Sequence, residues 1–274
     1  MSTTTTCVSA ETLRWDQVEE YLKKDDRAVL AIGALEQHGP HLAMGTDTIT
    51  ASAVASDACH RTGVLVYPPL SYGWSDAHMG FPGTVSLRPE TIQAFIEDWV
   101  ESLTAHGFRR FLVLNGHRRT NLPPLQIAAS RLSLSAQRIV AVADLGYVAL
   151  EKSLEIATSH LGGLGHADEL ETSHMMYLRP EAVEMKFAET RIRHSKGLLR
   201  QFLPSDPREE GRSRYYLPPT PETFRKATGG TGLGGDARPS TKDKGQILHE
   251  AMVAGVCEIL GELKALELQI PTAR

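Results

Sequence analysis

The segment GALEQHGPHLAMGTDT, residues 33–48, carries Glu36, His38, His41 and Asp47 directly after the apolar run AVLAIG. Carboxylates and imidazoles gathered at the end of a buried strand are the side chains that hold a divalent metal. In extended backbone the side chains at i and i+2 point the same way, so Glu36 and His38 are placed to share one ion. A second apolar run ends in LNGHRRTN and delivers His117 in the same manner. In open parallel sheets ligands collect beyond the carboxyl ends of the strands, which is where these two segments converge. Asp47 has two readings: a helix N-cap accepting a backbone N–H, or a carboxylate bridging two metal ions.

A third segment, GHADELETSHMM, sets His166 five residues before Glu171. On one continuous helix that spacing separates the two by about 140°. A helix that starts near Asp168 instead lets the loop before it turn His166 back toward Glu171. Acidic residues in a first turn are favoured by the helix dipole, which accounts for Asp168 and Glu169 but not for His166. His60, His106, His160, His194 and His249 sit in no such pattern and read as structural.

Four apolar runs supply the strands that would position these residues: 27–33, 63–70, 109–115 and 138–144. They are continuous rather than alternating, the pattern of strands buried on both faces. Helical patterns lie between them, at 47–61, 88–107 and 121–134, with Asp47 at the start of the first. Alternating strands and helices predict an α/β fold, a mostly parallel sheet covered on both faces. Beyond residue 150 the pattern loosens to a helix over 167–180, a polar Pro-rich stretch over 203–222, the glycine cluster ATGGTGLGGDARPS and a final helix over 244–268. The glycine cluster is not a phosphate loop, since no strand precedes it and GxxxxGK[ST] is absent. There are no repeats and no linker that splits the chain, so a single domain over 1–274 is expected.

A net charge of −4 on 274 residues argues against a nucleic-acid partner, because such proteins carry a basic face. Cys7, Cys59 and Cys257 are far apart and form no CxxC pair, so neither a disulfide framework nor a thiolate zinc site is indicated. With no basic-then-apolar start and no stretch near the roughly 20 apolar residues of a membrane span, a cytoplasmic enzyme with a small-molecule substrate is expected, without a membrane partner.

Five segments, in order and spacing, resemble those of the creatininase (creatinine amidohydrolase) family: GALEQHGPHLAMGTDT, HMGFPGT (78–84), LNGH (114–117), HADELETS (166–173) and GDARPSTKDKG (235–245). The resemblance implies a three-layer α/β/α subunit, usually in a homohexamer, with one or two divalent metals at the carboxyl edge of the sheet. Carried across residue by residue, it makes Glu36, His38, Asp47, His117 and Glu171 metal ligands, with Asp47 bridging, and His166 the catalytic histidine. His78 falls in a matched segment and is a substrate-binding candidate. Two histidines and three carboxylates suit Zn²⁺ first, and Mn²⁺ or Fe²⁺ next.

The departures narrow the substrate. Where creatininase has an aromatic residue, a glutamate ligand and an asparagine after NGH, this chain has Arg118, Arg119 and Thr120, so that ligand is missing. The tryptophan that creatininase closes over its substrate, four residues before the catalytic histidine, is Gly162 here, which argues against creatinine. Ala43 stands for a usual proline and Asp168 for a usual glycine, neither at a ligand position. Arg118 and Arg119 have two readings: one or both point to solvent or pair with a carboxylate such as Asp168 or Glu169, or at least one holds an anionic or oxygen-rich substrate in a two-pronged grip. The function implied is a metal-dependent hydrolase of a cyclic amide, formamide or related C–N bond. The alternatives are hydrolysis of a C–C bond or lactone in a polyhydroxylated ring, and a non-catalytic metal-stabilised binding protein.

Overall fold

The computed structural model describes residues 8–118, 120–135, 137–159, 165–191 and 218–268. The four expected strands form, as β1 (Arg27–Ile32), β2 (Leu65–Leu70), β3 (Arg110–Asn115) and β4 (Ile139–Asp144), in one parallel sheet of order β2-β1-β3-β4. The helices are α1 (Trp15–Leu22), α2 (Thr46–Thr62), α3 (Pro89–Ala105), α4 (Leu122–Ser135), α5 (Leu145–Val148), α6 (Leu150–Ile156), α7 (Glu169–Leu178), α8 (Pro221–Ala227) and α9 (Lys242–Ala265).

Alternate side chains of the central strands leave opposite faces of the sheet, and each face is covered. Val29, Ala31, Leu112 and Leu114 pack with Ala51, Val54 and Ala55 of α2 and Val253 and Val256 of α9. On the other face Leu30, Ile32, Phe111 and Val113 pack with Ile92 and Ile96 of α3 and Leu125 and Ala128 of α4. The result is three layers, α/β/α, with β1 and β3 buried throughout apart from a partly exposed Arg110.

β4 and β2 depart from the expected double burial: in β4 only Val140 and Asp144 are buried, and in β2 only Leu65 is, with Pro68 and Pro69 exposed. β2 is an edge strand, and a residue without an N–H fits an edge because the ladder asks no donor of it there. The N-terminal residues pair with it, Val66 N–H donating to the Val8 carbonyl at 2.8 Å.

Register levels the strand ends that matter, with Ile32 opposite Asn115 and Asn115 opposite Asp144. Two glycines then let α2 dock onto this edge. A Cβ on Gly33 would lie 2.4 Å from the Thr48 nitrogen, and one on Gly116 would lie 2.4 Å from the Asp47 carbonyl oxygen. Asp47 is therefore not the N-cap: that position is Gly45, and Asp47 lies inside the first turn with its carboxylate turned toward β1 and β3. Among the described residues no helix is long and apolar enough to cross a membrane.

Close approach at Gly116 predicts that Gly116→Ala destabilises the fold by about 1–3 kcal/mol, the cost of overpacking. Gly261, exposed in α9 with open space where a Cβ would go, is the opposite case, and Gly261→Ala should stabilise by about 0.4–1 kcal/mol. Thermal midpoints of the two variants, moving in opposite directions, check both.

Candidate metal centre

The centre forms where β1 and β3 end against α2 and α7. Asp47 lies between two imidazoles: Oδ1 is 3.1 Å from His38 Nε2 and Oδ2 is 3.1 Å from His117 Nδ1. His38 gives its other nitrogen, Nδ1, to the Glu36 carbonyl at 3.1 Å, which orients the ring and leaves Nε2 for Asp47 and, at 4.0 Å, Glu171. A backbone acceptor on the far nitrogen is the usual way a metal-binding imidazole is held. His117 is held similarly, with Nε2 3.1 Å from the Trp74 carbonyl.

Glu36 is fully buried, and neither carboxylate oxygen has a hydrogen bond. Imidazole nitrogens stand around it without making hydrogen bonds: His117 Nε2 at 3.4 Å, His78 Nδ1 at 3.5 Å and His166 Nδ1 at 3.6 Å. A buried carboxylate without donors is costly unless a cation completes it. Among the described residues three overlapping trios have ligand atoms close enough to hold an ion: Glu36, Asp47 and His117; His38, His166 and Glu171; and Glu36, His78 and His166. The donor set thus fits a divalent metal.

His166 arrives as the loop reading requires. α7 starts at Glu169 behind an Asp168 cap, and Ala167, at φ 54°, turns the chain in the left-handed region before it. Ala167 N–H donates to Glu171 Oε2 at 2.6 Å, joining the loop to the helix. His166 Nε2 lies 2.7 Å from the Gln37 carbonyl oxygen, so the ring in its neutral form donates there and turns an unprotonated Nδ1 toward Glu36 at 3.6 Å.

Two contributors escape sequence reasoning. The Gln37 amide nitrogen reaches His78 Nδ1 at 2.8 Å, His166 Nε2 at 2.9 Å and the Gly232 carbonyl at 3.2 Å. The glycine cluster closes over this amide: a Cβ on Gly232 would overlap Gln37, and Gly234 pairs with His166 through backbone hydrogen bonds in both directions. Alternation along extended backbone points Gln37 away from Glu36 and His38, a signal that marks it as facing something else but does not say what.

Arg118 lies across Gly146, its Nε 3.7 Å from Asp144 Oδ1 and its guanidinium 5.9 Å from the centre of the Tyr147 ring. Its carboxylate partner is Asp144, not Asp168 or Glu169: Asp168 accepts from Gly165 N–H, and Glu169 is paired with Lys244. Arg119, His160, Gly162 and His194 lie outside the described residues. His41 turns from the centre to Thr172 Oγ1 at 2.8 Å, and His60 bonds the Ser56 carbonyl on the α2 surface.

Burial disfavours charge on every group here, so the neighbours decide which one carries it. Burial alone would depress His38 and His117; Asp47 and Glu171 beside His38, and Glu36 and Asp47 beside His117, instead raise them to about 10 and about 9. Burial raises Glu36 and Glu171, while the flanking imidazolium charges outweigh burial at Asp47 and hold it below the carboxylate range. Protons on His38 and His117 thus occupy the place of a cation, and metal binding would release them.

Behind the centre, His174 Nε2 meets His249 Nδ1 at 3.0 Å, and His249 Nε2 meets Asp57 Oδ2 at 2.9 Å. Burial, then the charge on His249, push His174 down to about 3. A histidine kept neutral in the fold but protonated when unfolded stabilises fully above about pH 6.5, and that contribution is lost as pH falls toward 3. Unfolding free energy by urea should therefore fall between pH 7 and 5. His174→Gln should flatten that slope by up to about 1.4 kcal/mol per pH unit; an unchanged slope would show that His174 is solvated.

The three-layer fold has counterparts in known proteins. The creatinine amidohydrolase from Pseudomonas putida is 27% identical over 267 residues, 91% of this chain and 95% of that protein. The 3-dehydro-scyllo-inosose hydrolase from Thermotoga maritima is 30% identical over 190 residues, 67% of this chain and 60% of that protein. A solved creatininase variant described as Zn-Zn type superposes with a TM-score of 0.74 at 25% identity, covering 93% of this chain and 97% of its own. The family model for creatininase, described as creatinine amidohydrolase, matches residues 11–260, and the chain belongs to the creatininase family of hydrolases.

Proposed function

We propose that this protein is a divalent-metal-dependent hydrolase of a cyclic amide, formamide or related C–N bond in a small molecule. The observation that carries the reading is Glu36, buried with neither oxygen hydrogen-bonded among three imidazoles, beside an Asp47 shared by two more contacts to histidine. Glu36, His38, Asp47, His117 and Glu171 would hold one or two ions, with Asp47 between them. Zinc is favoured by the mixed imidazole and carboxylate set and by the Zn-Zn relative, with manganese or ferrous iron next. Such an ion supplies a polarised scissile carbonyl and a water acidic enough to attack at neutral pH.

His166 receives the proton of the attacking water at Nδ1, the ring nitrogen left unprotonated when Nε2 donates to the Gln37 carbonyl, and returns it to the leaving nitrogen. His78, whose Nδ1 accepts from the Gln37 amide, orients substrate on the same side. Arg118, and Arg119 beside it in sequence, border the substrate. Hydrolysis of a lactone or C–C bond in a polyhydroxylated ring is the second reading, favoured by the 30% identity to the inosose hydrolase. We place the enzyme in the cytoplasm as a single-domain subunit of a homohexamer; Trp15, Tyr147, Leu154 and Phe187 are exposed apolar side chains suited to subunit contacts.

Chelation should abolish turnover of cyclic amides and lactones, and added zinc or manganese should restore it. His117→Ala and Glu36→Ala should lose bound metal by elemental analysis while His60→Ala keeps it. His166→Ala should retain metal and lose about 10²- to 10⁴-fold in kcat; near wild-type turnover would remove its role. Sedimentation should give a mass several times 30.0 kDa, and a monomer at micromolar concentration would contradict the hexamer.

A further inference from the structure

Beside the centre, among α2, α6, α7 and α9, is a pocket of about 50 Å³ that shares Asp47, Glu171 and Arg118 with it and adds Ser153 and His174, which the mechanism above does not use. Asp47 and Glu171 form one wall, Arg118 another, and Ser153 and His174 also line it. That volume has room for a few water-sized groups. Ser153 is 1% exposed, and its hydroxyl has no hydrogen-bond partner, so the pocket contains a buried polar atom waiting for one.

The Asp57–His249–His174 chain fixes what His174 offers. A carboxylate only accepts, so neutral His249 donates from Nε2 to Asp57 and must accept at Nδ1. His174 then donates from Nε2, and its Nδ1 is left as an acceptor. An anionic occupant is disfavoured, since the wall carries Asp47 and Glu171 and the Arg118 guanidinium faces Asp144. An apolar occupant would leave Ser153 unpaired.

We infer that this pocket is a substrate subsite for a small uncharged group bearing an N–H or O–H donor, a primary amide or a hydroxyl, held by Ser153 Oγ and His174. The assignment rests on the hydrolase reading only in calling the occupant part of a substrate.

The test uses acetamide, acetone and acetate, which share one shape and differ in donor and charge. Each is titrated by ligand-observed NMR at pH 8 into the full-length protein, metal-loaded and metal-stripped. Acetamide should bind about tenfold more tightly than acetone in both forms, and Ser153→Ala should weaken acetamide about tenfold while leaving acetone unchanged. Asp57→Ala, a surface change that frees the His249 tautomer, should bring the acetamide-to-acetone ratio toward one. Equal binding of acetone, preference for acetate in the stripped protein, or an acetamide affinity untouched by Ser153→Ala would overturn the subsite, and the pocket would then hold water alone. If the subsite holds but the loaded protein turns over no amide or lactone, the hydrolase reading fails by itself. If turnover is present and acetamide does not bind, the subsite fails by itself.

Discussion

Asp47 is held between His38 and His117, and much of the molecule serves that contact. It requires the first turn of α2 to lie on the ends of β1 and β3 at backbone distance, which Gly33 and Gly116 permit. It requires those strand ends to be level, which the β1 to β3 register provides. Small residues extend the same logic along α2, where Ala51, Ala55 and Ala58 are fully buried and bring the helix close to the sheet. A carboxylate in so dry a place is tolerable only because positive charge, whether protons or a metal, stands on both sides of it.

Around that contact the polar groups are ordered by backbone carbonyls more than by side chains. The carbonyls of Glu36, Gln37 and Trp74 each take one nitrogen of His38, His166 and His117. Asn115 and Asn121 hold these loops in turn: Asn115 Nδ2 donates to the His117 carbonyl and to Asp144, and Asn121 Nδ2 donates to the Gly33 carbonyl. Ring orientation is therefore set by the main chain of the strand exits, which the sheet itself makes rigid.

The parts visible in the sequence were those whose side chains do the work. Continuous apolar runs located all four strands within two residues, since burial on both faces leaves no other composition for β1 and β3. The same rule misjudged β2, whose proline pair signalled an edge. The short helices α1, α5, α6 and α8 are too brief for a helical period to stand out in the sequence, and α8 begins within the polar Pro-rich stretch over 203–222, of which 203–217 lie outside the described residues. Glu36, His38, Asp47, His117, His166 and Glu171 were drawn together from sequence because each sits at a strand end or helix start, and the structure does bring them together. Gln37 and the glycine cluster were not, because carbonyl groups and missing Cβ atoms leave no chemical signature in a sequence. Asp47 reads as a cap from its position, but the helix starts two residues earlier than that requires, behind Gly45.

The bond from the Gln37 amide to the Gly232 carbonyl spans 195 residues, and Arg27 reaches the Leu260 carbonyl across 233. A growing chain that has emerged through β4 holds Glu36, His38, Asp47 and His117, yet lacks the α9 face of its core and the glycines that close over Gln37. Until those arrive the half-built edge stays open to water, where its carboxylates and imidazoles are solvated and have little reason to converge. Completion of the centre is thus tied to synthesis of the last third of the chain, which supplies both the α9 face of the core and the glycine that closes over Gln37.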